Sequence, residues 1–390
     1  MILVSLCAAP VWAAIPCDTD GNNRLSEGEF VSAAFAYLDI TYRNGSGECP
    51  DRNDLRDAAY VLRFWGGAPH TCTDGMGQSV VFERPPGSVV VFSSTVLDTM
   101  RAIGVPMAMV SGVADPILME VSYFPGVANC PAVGDLEGPD EGTIASIAPD
   151  LVIVPADASG NAAAAAAAAC GVPVVRFSCT SPGTIRDEID SLGLLFVREK
   201  GADDLIAFID AQESAVATCL AGLGGEERVQ VYAEDAAAYT AAGAGTPLGD
   251  LVSAAGGVVV PENSGWCPVT DGEVVAAAPG VMIKMVGHEP CRFGGFGDRI
   301  SLRFIEVRNA IGLRPGWTTV PAVDSGAVYL IHSSVVEGPQ FGIGLQYIAR
   351  WLYPERCRSL DPADLQARYF SDFCGLEGGS GMYVFPEAAQ

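Results

Sequence analysis

Oxygen-bearing side chains recur at alternate positions of a twelve-residue stretch near the start of the chain, DTDGNNRLSEGE at 18–29. The first, third, fifth, ninth and twelfth positions hold Asp18, Asp20, Asn22, Ser26 and Glu29, and the carbonyl of Arg24 would serve at the seventh. Hard oxygen ligands at this spacing around a tight turn are the set that Ca²⁺ takes in proteins. The stretch therefore predicts a Ca²⁺ site. The alternative is an Asp- and Asn-rich turn that holds no metal.

Two helical patterns follow this loop. FVSAAFAYL begins at residue 30, and the segment from Asp51 to Gly67 starts with a residue type that caps helices. The loop and its helices resemble the EF-hand and dockerin-like modules of exported microbial proteins. We expect a small all-α calcium module over residues 15–70.

The remainder of the chain alternates short β-branched runs with helical stretches, a pattern typical of parallel strands with helical crossovers. Strands are predicted at 80–83, 88–92, 107–111, 151–155 and 172–176. DEGTIASIAPDLVIV at 140–154 also aligns with TDGEVVAAAPGVMIK at 270–284, which indicates a duplication unless two α/β units match by chance.

The predicted fold class is α/β, with two doubly wound three-layer lobes at 79–200 and 225–375. Apolar residues at helical spacing predict one long connecting helix over 201–224, and residues 376–390 are expected to be a tail. Such a helix braces the lobes and favours small rocking motions over wide hinge opening.

Three segments carry a family resemblance over residues 79–375: GTIASIAPDLVIVPA from 142, YTAAGAGTPLGDLVSAAGG at 239–257 and VPAVDSGAVYLI at 320–331. They resemble the helical-backbone (class III) solute-binding proteins of ABC importers for ferric siderophores, haem and cobalamin. The resemblance implies a monomeric, non-catalytic protein that delivers a small metal chelate to an ABC permease.

The same resemblance implies one acidic docking residue near the start of the repeated helix in each lobe. Glu141 and Asp271 occupy these positions, with Glu273 as a competitor because the alignment is uncertain by one residue. The alternative is that these acids only complement the helix dipole.

Ligands of open α/β sheets lie beyond the carboxyl ends of the strands, which points to the loops that follow each strand. Aromatic faces and an arginine there would suit an anionic iron chelate, although single aromatic residues more often belong to a core. The predicted ligand-binding residues are Ser93, Ser94, Thr95, Tyr123, Phe124, Tyr239, Trp266, Arg292, Phe293, Phe296 and His332. His332 could be an axial ligand or a structural imidazole.

Composition narrows the location and the partners. The formal net charge is −25, which argues against nucleic acid as a partner. The apolar run at 1–14 predicts a signal peptide and an extracytoplasmic protein, and no later segment is apolar enough to span a bilayer. Disulfides are then the default for the cysteines, with Cys170–Cys179, Cys267–Cys291 and Cys357–Cys374 as candidate pairs.

Two other classes of function stay open at this point. One is a metallo-oxidoreductase of nitrogenase-like fold, in which cysteines hold a cluster. The other is a cell-surface interaction protein that depends on calcium. Motifs of zinc peptidases and serine hydrolases are not found in the sequence, so catalysis has no positive support.

Overall fold

The computed structural model describes residues 14–43, 50–156, 162–376 and 381–386. The signal peptide predicted for residues 1–14 lies outside this range except for its last residue. The helices are α1 (Glu27–Arg43), α2 (Arg52–Phe64), α3 (Ser94–Ala102), α4 (Asp115–Leu118), α5 (Glu141–Ile147), α6 (Ala162–Ala169), α7 (Ile185–Phe196), α8 (Glu199–Cys219), α9 (Pro247–Ala254), α10 (Asp271–Ala277), α11 (Ser301–Gly312), α12 (Pro321–Asp324), α13 (Phe341–Leu352) and α14 (Pro362–Arg368). A π-helix, Tyr369–Phe373, continues α14.

Most strands are short. They are β1 (His70–Thr73), β2 (Ser79–Phe82), β3 (Val89–Val91), β4 (Val110–Val113), β5 (Leu151–Val154), β6 (Val174–Arg176), β7 (Gln230–Glu234), β8 (Thr240–Ala242), β9 (Val258–Val259), β10 (Trp266–Pro268), β11 (Val281–Val286), β12 (Gly295–Phe296), β13 (Val328–His332), β14 (Gly381–Met382) and β15 (Val384–Phe385).

Two sheets organise a mixed α/β fold, as predicted. In the first lobe, β4-β3-β5-β6 form a four-stranded parallel sheet. In the second lobe, β9, β7, β11 and β13 pair in parallel, while β8, β10 and β15 add antiparallel edges. Residues of both lobes contribute to one continuous hydrophobic core.

The repeated segments fold in the same way. Asp140 caps α5 and Thr270 caps α10 through their side chains, and each helix ends at an alanine in the left-handed region, Ala148 or Ala278. A fully buried central strand then follows each helix, β5 in the first lobe and β11 in the second. The sequence repeat is therefore a structural repeat in exact register.

One long helix joins the lobes. α8 begins two residues before the predicted range and ends at Cys219, with Leu205, Ile209 and Val216 buried. It packs closely on α13, where a Cβ on Gly342 would lie 2.9 Å from the Cβ of Gln212. At the rise of an α-helix, its length is roughly 30 Å.

The observed disulfide differs from all three predicted cysteine pairs. Cys219 forms a disulfide with Cys357, 138 residues away in sequence. Cys170, Cys179, Cys267, Cys291 and Cys374 are free thiols.

A β-hairpin lies where the predicted module, ending at residue 70, meets the predicted first lobe, beginning at residue 79. β2 forms where a strand is predicted, whereas β1 is not predicted. The two strands pair antiparallel, so a hairpin connects the module to the first lobe. The Asp74 carboxylate stabilises its turn by accepting from the N–H groups of Met76 and Gln78. The part of the chain before the first lobe is thus not all helical.

The segment 376–390 is not merely a tail, because its described residues belong to the second lobe. β14 pairs with β12, and β15 adds an edge strand beside β13. Within the described residues, no helix has the length and apolar character needed to cross a bilayer.

Candidate functional site

A cleft of about 520 Å³ opens between the lobes at the carboxyl ends of their parallel strands. This is the edge at which open α/β sheets bind ligands. The first lobe contributes residues after β3 and β4, and the second contributes residues after β11 and β13 together with Tyr383. The predicted residues that line the cleft are Ser94, Thr95, Tyr123, Phe124, Arg292, Phe293, Phe296 and His332.

The floor of the cleft is held by a buried hydrogen-bond network. Tyr123 donates its hydroxyl to Asp98, 2.9 Å from each carboxylate oxygen. Arg101 pairs with the same carboxylate at 2.6 Å and lies over the Tyr123 ring. Burial and the nearby Asp98 charge raise the Tyr123 pKa well above its ordinary value, so this phenol stays protonated and donates.

Gln340, which is distant from Tyr123 in sequence, completes this network. Its amide Nε2 lies 3.0 Å from the Tyr123 hydroxyl and 3.3 Å from Asp98 Oδ2. Since Gln340 precedes α13, the network ties the first lobe to the helix that packs against α8. The orientation of the Tyr123 ring is therefore fixed by both halves of the chain.

Aromatic rings cover one wall of the cleft. The Tyr123 ring centroid is 5.4 Å from that of Phe296 and 4.7 Å from that of Phe124. Met119, which also lines the cleft, is 71% exposed. Together they offer an apolar surface to a flat or ring-shaped ligand.

A glycine-rich loop wraps around His332. A Cβ on Gly287 would lie 2.7 Å from His332 Nε2, and one on Gly295 would lie 2.9 Å from the same atom. His332 Nδ1 accepts from the N–H of Ser334, which leaves the proton of the neutral ring on Nε2. Burial, and then the charge of His288, lower the pKa of His332 to about 4, so the ring is neutral at physiological pH.

Charged side chains stand at the entrance. His288 Nε2 lies 3.3 Å from Glu337 Oε2, and this hydrogen bond raises the His288 pKa. Across the cleft, burial raises the pKa of Glu120, while Arg292 and His288 oppose that shift from the second lobe. The entrance therefore places Glu120 of one lobe opposite two basic groups of the other.

Several lining residues were not among the predicted ligand-binding residues: Asp98, Glu120, Glu337 and Tyr383. Asp98 lies one turn inside α3 and Tyr383 lies beyond the predicted lobe, so neither position is next to a predicted strand end. Glu337 follows β13 by five residues. It could have been found by searching further along the loops that follow the carboxyl ends of the strands.

Three predicted ligand residues do not line the cleft. Ser93 is buried and caps α3 by accepting from the Val96 N–H. Trp266 lies on the edge strand β10, and Tyr239 packs beside Trp317 with the Arg314 guanidinium over its ring. Both aromatic residues belong to an antiparallel extension of the second sheet.

A buried ion network supports that extension. Glu234, fully buried, pairs with Lys284 at 2.9 Å and with Arg314 at 2.7 Å. Burial alone would raise the Glu234 pKa, but hydrogen bonds and charge from Arg314 and Lys284 hold it below its ordinary value. The same carboxylate also accepts from the Tyr239 N–H and the Tyr232 hydroxyl.

The acids predicted for permease docking stand at the helix starts. Glu141 is exposed at the first position of α5, and Asp271 takes the equivalent position of α10. Glu273 instead accepts from the Thr270 N–H and hydroxyl in a capping box. The repeat register thus matches Asp271, and not Glu273, with Glu141.

The predicted calcium loop brings its carboxylates together. One ligand oxygen each from Asp18, Asp20 and Glu29 lies within 4.8 Å of the others. Asn23 adopts a φ of 60° where glycine is usual, and its N–H donates to Asp18. Hydrogen bonds from Ser26 lower the pKa of Glu29 to about 2, which keeps it ionised as a metal ligand must be. These donors fit a hard cation such as Ca²⁺.

The module that carries this loop is anchored to the first lobe. Tyr60 is buried and donates its hydroxyl to the Leu194 carbonyl and to Glu199 at the start of α8. The Leu25 N–H donates to the Gly67 carbonyl, which joins the loop to the end of α2. Any ion in the loop would therefore stabilise a unit in direct contact with the connecting helix.

The fold and the cleft define a two-lobed solute-binding protein with a helical connector. The chain belongs to the periplasmic binding protein family, whose model matches residues 89–335. No curated protein sequence matches the chain significantly.

Solved structures give the same fold. The TroA-like periplasmic binding protein FepB from Veillonella parvula has a TM-score of 0.69 at 19% identity, covering 81% of this chain and 99% of its own. The molybdate-binding protein MolA from Haemophilus influenzae has a TM-score of 0.66 at 18% identity, covering 80% of this chain and 100% of its own. A periplasmic haem-binding protein from Pseudomonas aeruginosa has a TM-score of 0.54 at 15% identity, covering 69% and 94%.

Membership of this family places the chain among transport-related binding proteins, which are in general extracytoplasmic, non-enzymatic and partnered by ABC permeases. Among the described residues, the only group of three or more His, Cys, Asp or Glu side chains that could hold a metal ion is the one in the predicted calcium loop.

Proposed function

We propose that this protein captures a metal chelate of the siderophore, haem or cobalamin type outside the cytoplasm and delivers it to the permease of an ABC importer. The observation that carries the proposal is the cleft between the lobes. It lies at the ligand-binding edge of both sheets and is lined by Tyr123, Phe124, Phe293 and Phe296. Aromatic faces of this kind suit the planar or ring-shaped surface of a chelate.

The structural neighbours bind ligands of different kinds. One of them was solved with molybdate and another is a haem-binding protein, so proteins of this fold take ligands of very different size. A cavity of about 520 Å³ is larger than a bare oxyanion needs and within the usual range for small-molecule sites. The cleft therefore favours a chelate over a single inorganic ion.

The decisive experiment is native mass spectrometry of the protein purified from its own host, followed by thermal shift with the ligand so identified. A bound ligand stabilises the folded state in proportion to the logarithm of its concentration above Kd. We expect a metal chelate and a rise in Tm that Phe296→Ala reduces. Trp266→Ala, which removes an aromatic side chain outside the cleft, should leave the rise unchanged.

Permease docking through Glu141 and Asp271 is part of this proposal. The two acids occupy equivalent positions of the repeated helix, and arginines on a permease could pair with both lobes at once. Transport assays of charge-reversal variants test this step separately from ligand capture.

We propose a second role for the calcium loop, as a stabilising element of the N-terminal module. Its support is the convergence of Asp18, Asp20 and Glu29, with Asn22, Ser26 and the Arg24 carbonyl completing the ligand set. Because Tyr60 joins this module to the first lobe, Ca²⁺ binding is expected to stabilise the whole chain. Calcium-dependent contact with a cell-surface partner would be an additional property, tested by pulldown with and without chelator.

A further inference from the structure

Carboxylates dominate the charged groups of the cleft. Among the described residues, its lining includes five carboxylates and one guanidinium, and His288 adds a second basic group. The acidic members are Asp98, Glu120, Glu289, Asp298 and Glu337, and the guanidinium is Arg292. The balance is the reverse of what a highly anionic ligand requires.

Two of these carboxylates are satisfied within the protein. Asp98 is paired with Arg101 and hydrogen-bonded to Tyr123. Asp298 accepts from the N–H groups of Gly294 and Ile300. What remains for a ligand to meet is Glu120, Glu289 and Glu337, of which Glu337 is shared with His288.

One of the two basic groups of the cleft already has an acidic partner. His288 is hydrogen-bonded to Glu337 at 3.3 Å, and Arg292 lies within electrostatic reach of Glu120 on the opposite lobe. Arg292 is also exposed at the rim, where water weakens its pull on a ligand. Within the described cleft, the exposed Arg292 is therefore the one guanidinium that an incoming anion would meet, against a surplus of carboxylates.

Other cations near the cleft are committed elsewhere. The Arg101 guanidinium is buried against Asp98, and the Lys284 ammonium is buried against Glu234. His332 has a neutral ring that accepts from Ser334. The formal net charge of −25 adds a long-range field that repels anions from the entrance.

We infer that the cargo is a chelate of neutral or positive net charge, with an apolar face that contacts Phe296 and Met119. This inference rests on the proposed function and narrows it, replacing the anionic chelate expected from the sequence. The surplus of carboxylates over basic groups in the cleft would attract a positively charged ligand, while the aromatic wall would cover its ring or backbone.

A matched series of ligands tests the inference. Ferrioxamine B, its N-acetyl derivative and its N-succinyl derivative share one ferric trihydroxamate core and are cationic, neutral and anionic. Aquocobalamin, cyanocobalamin and a cobalamin monocarboxylate form a similar series, and haem supplies a further anionic ligand. Kd values are measured by calorimetry with the full chain at low and at high salt.

In whichever series binds, we expect the anionic member to bind at least about tenfold more weakly than the cationic member, with the gap shrinking at high salt. The double variant Glu120→Gln/Glu337→Gln should reduce this difference in Kd several-fold, because it removes two negative charges. The glutamines keep the shape and hydrogen-bonding capacity of the glutamates. Glu306→Gln, on the exposed surface of α11, is the matched control and should leave the gap unchanged.

The outcomes separate the two proposals. An anionic derivative that binds as tightly as its cationic relative, or tight binding of haem alone, overturns the inference and leaves chelate binding intact. Binding of neither series nor of haem overturns the proposed function, and the inference with it. Salt dependence of the wild-type protein gives the same information if the double variant does not fold.

Discussion

Trp317 donates its indole N–H to Asp271 at 2.7 Å, so one of the two acids proposed to dock on a permease also holds a buried side chain of the second-lobe core. Its counterpart Glu141 stands exposed at the equivalent position of α5. The two sites are therefore equivalent in sequence and in backbone geometry but differ in how much the fold depends on them. This asymmetry predicts different outcomes for the same substitution.

Glu141→Lys should abolish transport while leaving ligand affinity and Tm unchanged, because the side chain contacts the rest of the protein little. Asp271→Lys should lower transport and also destabilise the chain by about 1–3 kcal/mol, since the buried Trp317 indole loses its acceptor. Transport is measured in reconstituted vesicles and stability by urea unfolding.

Asp271→Asn is the matched control, because an amide oxygen can still accept from Trp317. It should keep most of the stability but lose the charge needed for a permease arginine. Full transport by both Glu141→Lys and Asp271→Asn would rule out the docking assignment.

Tyr123→Phe should weaken both the fold and ligand binding. Removing the hydroxyl takes one donor from Asp98 and one partner from Gln340, and we expect a loss of about 1–3 kcal/mol in the free energy of unfolding. The ligand Kd should rise because the ring is no longer fixed in the floor of the cleft. Urea unfolding and calorimetry measure the two effects.

Tyr353→Phe provides the comparison. The Tyr353 hydroxyl donates to the Gly256 carbonyl at 2.8 Å and is not part of the cleft lining. It should cost a similar free energy of unfolding without changing Kd. An equal effect of both variants on Kd would mean that Tyr123 acts only through general stability.

The sequence predicted the elements that depend on local pattern. The cap at Asp51, the repeated α5 and α10 and the connecting helix all form close to their predicted bounds, because capping and apolar periodicity are properties of neighbouring residues. Most of the predicted ligand-binding residues also line the cleft, because they were expected in loops at the carboxyl ends of parallel strands, and these ends lie at one edge of the sheet.

Features that depend on tertiary contact were not predictable. Cys219 and Cys357 meet only because α8 and α13 pack side by side, whereas the predicted pairs were chosen by closeness in sequence. Tyr239 follows β7 as a cleft residue would, but the antiparallel pairing of β8 with β7 and β10 places it beside Trp317. No local pattern distinguishes these outcomes.

The buried carboxylate of Glu234 predicts a specific dependence on pH. The fold holds the pKa of Glu234 below its ordinary value. At a pH above that ordinary value the ionised carboxylate therefore stabilises the folded state. This stabilisation is lost as the pH falls through the pKa of the folded protein. Glu234→Gln should destabilise the protein by roughly 3–5 kcal/mol at neutral pH, since it leaves Lys284 and Arg314 uncompensated.

The difference between wild type and Glu234→Gln should therefore shrink in acid, when measured by urea unfolding across a pH series. Glu227→Gln is the control, because Glu227 pairs with Arg356 on the surface at 3.9 Å and should change stability by less than about 1 kcal/mol. A pH-independent difference would show that the loss arises from packing and not from charge.

Calcium should raise the Tm of the whole chain, because Asp18, Asp20 and Glu29 converge in a module that Tyr60 fixes to the first lobe. Binding only to the folded state stabilises it by about 2.7 kcal/mol at a Ca²⁺ concentration 100 times Kd. Calorimetry with Ca²⁺ and after treatment with chelator measures the shift.

Glu29→Gln should remove the response, since an amide replaces the ionised carboxylate that closes the loop. Glu27→Gln alters an exposed acid two residues away and should keep it. If Glu29→Gln still responds to Ca²⁺, the ion acts outside this loop. If Glu27→Gln also loses the response, the Ca²⁺ effect depends on general surface charge.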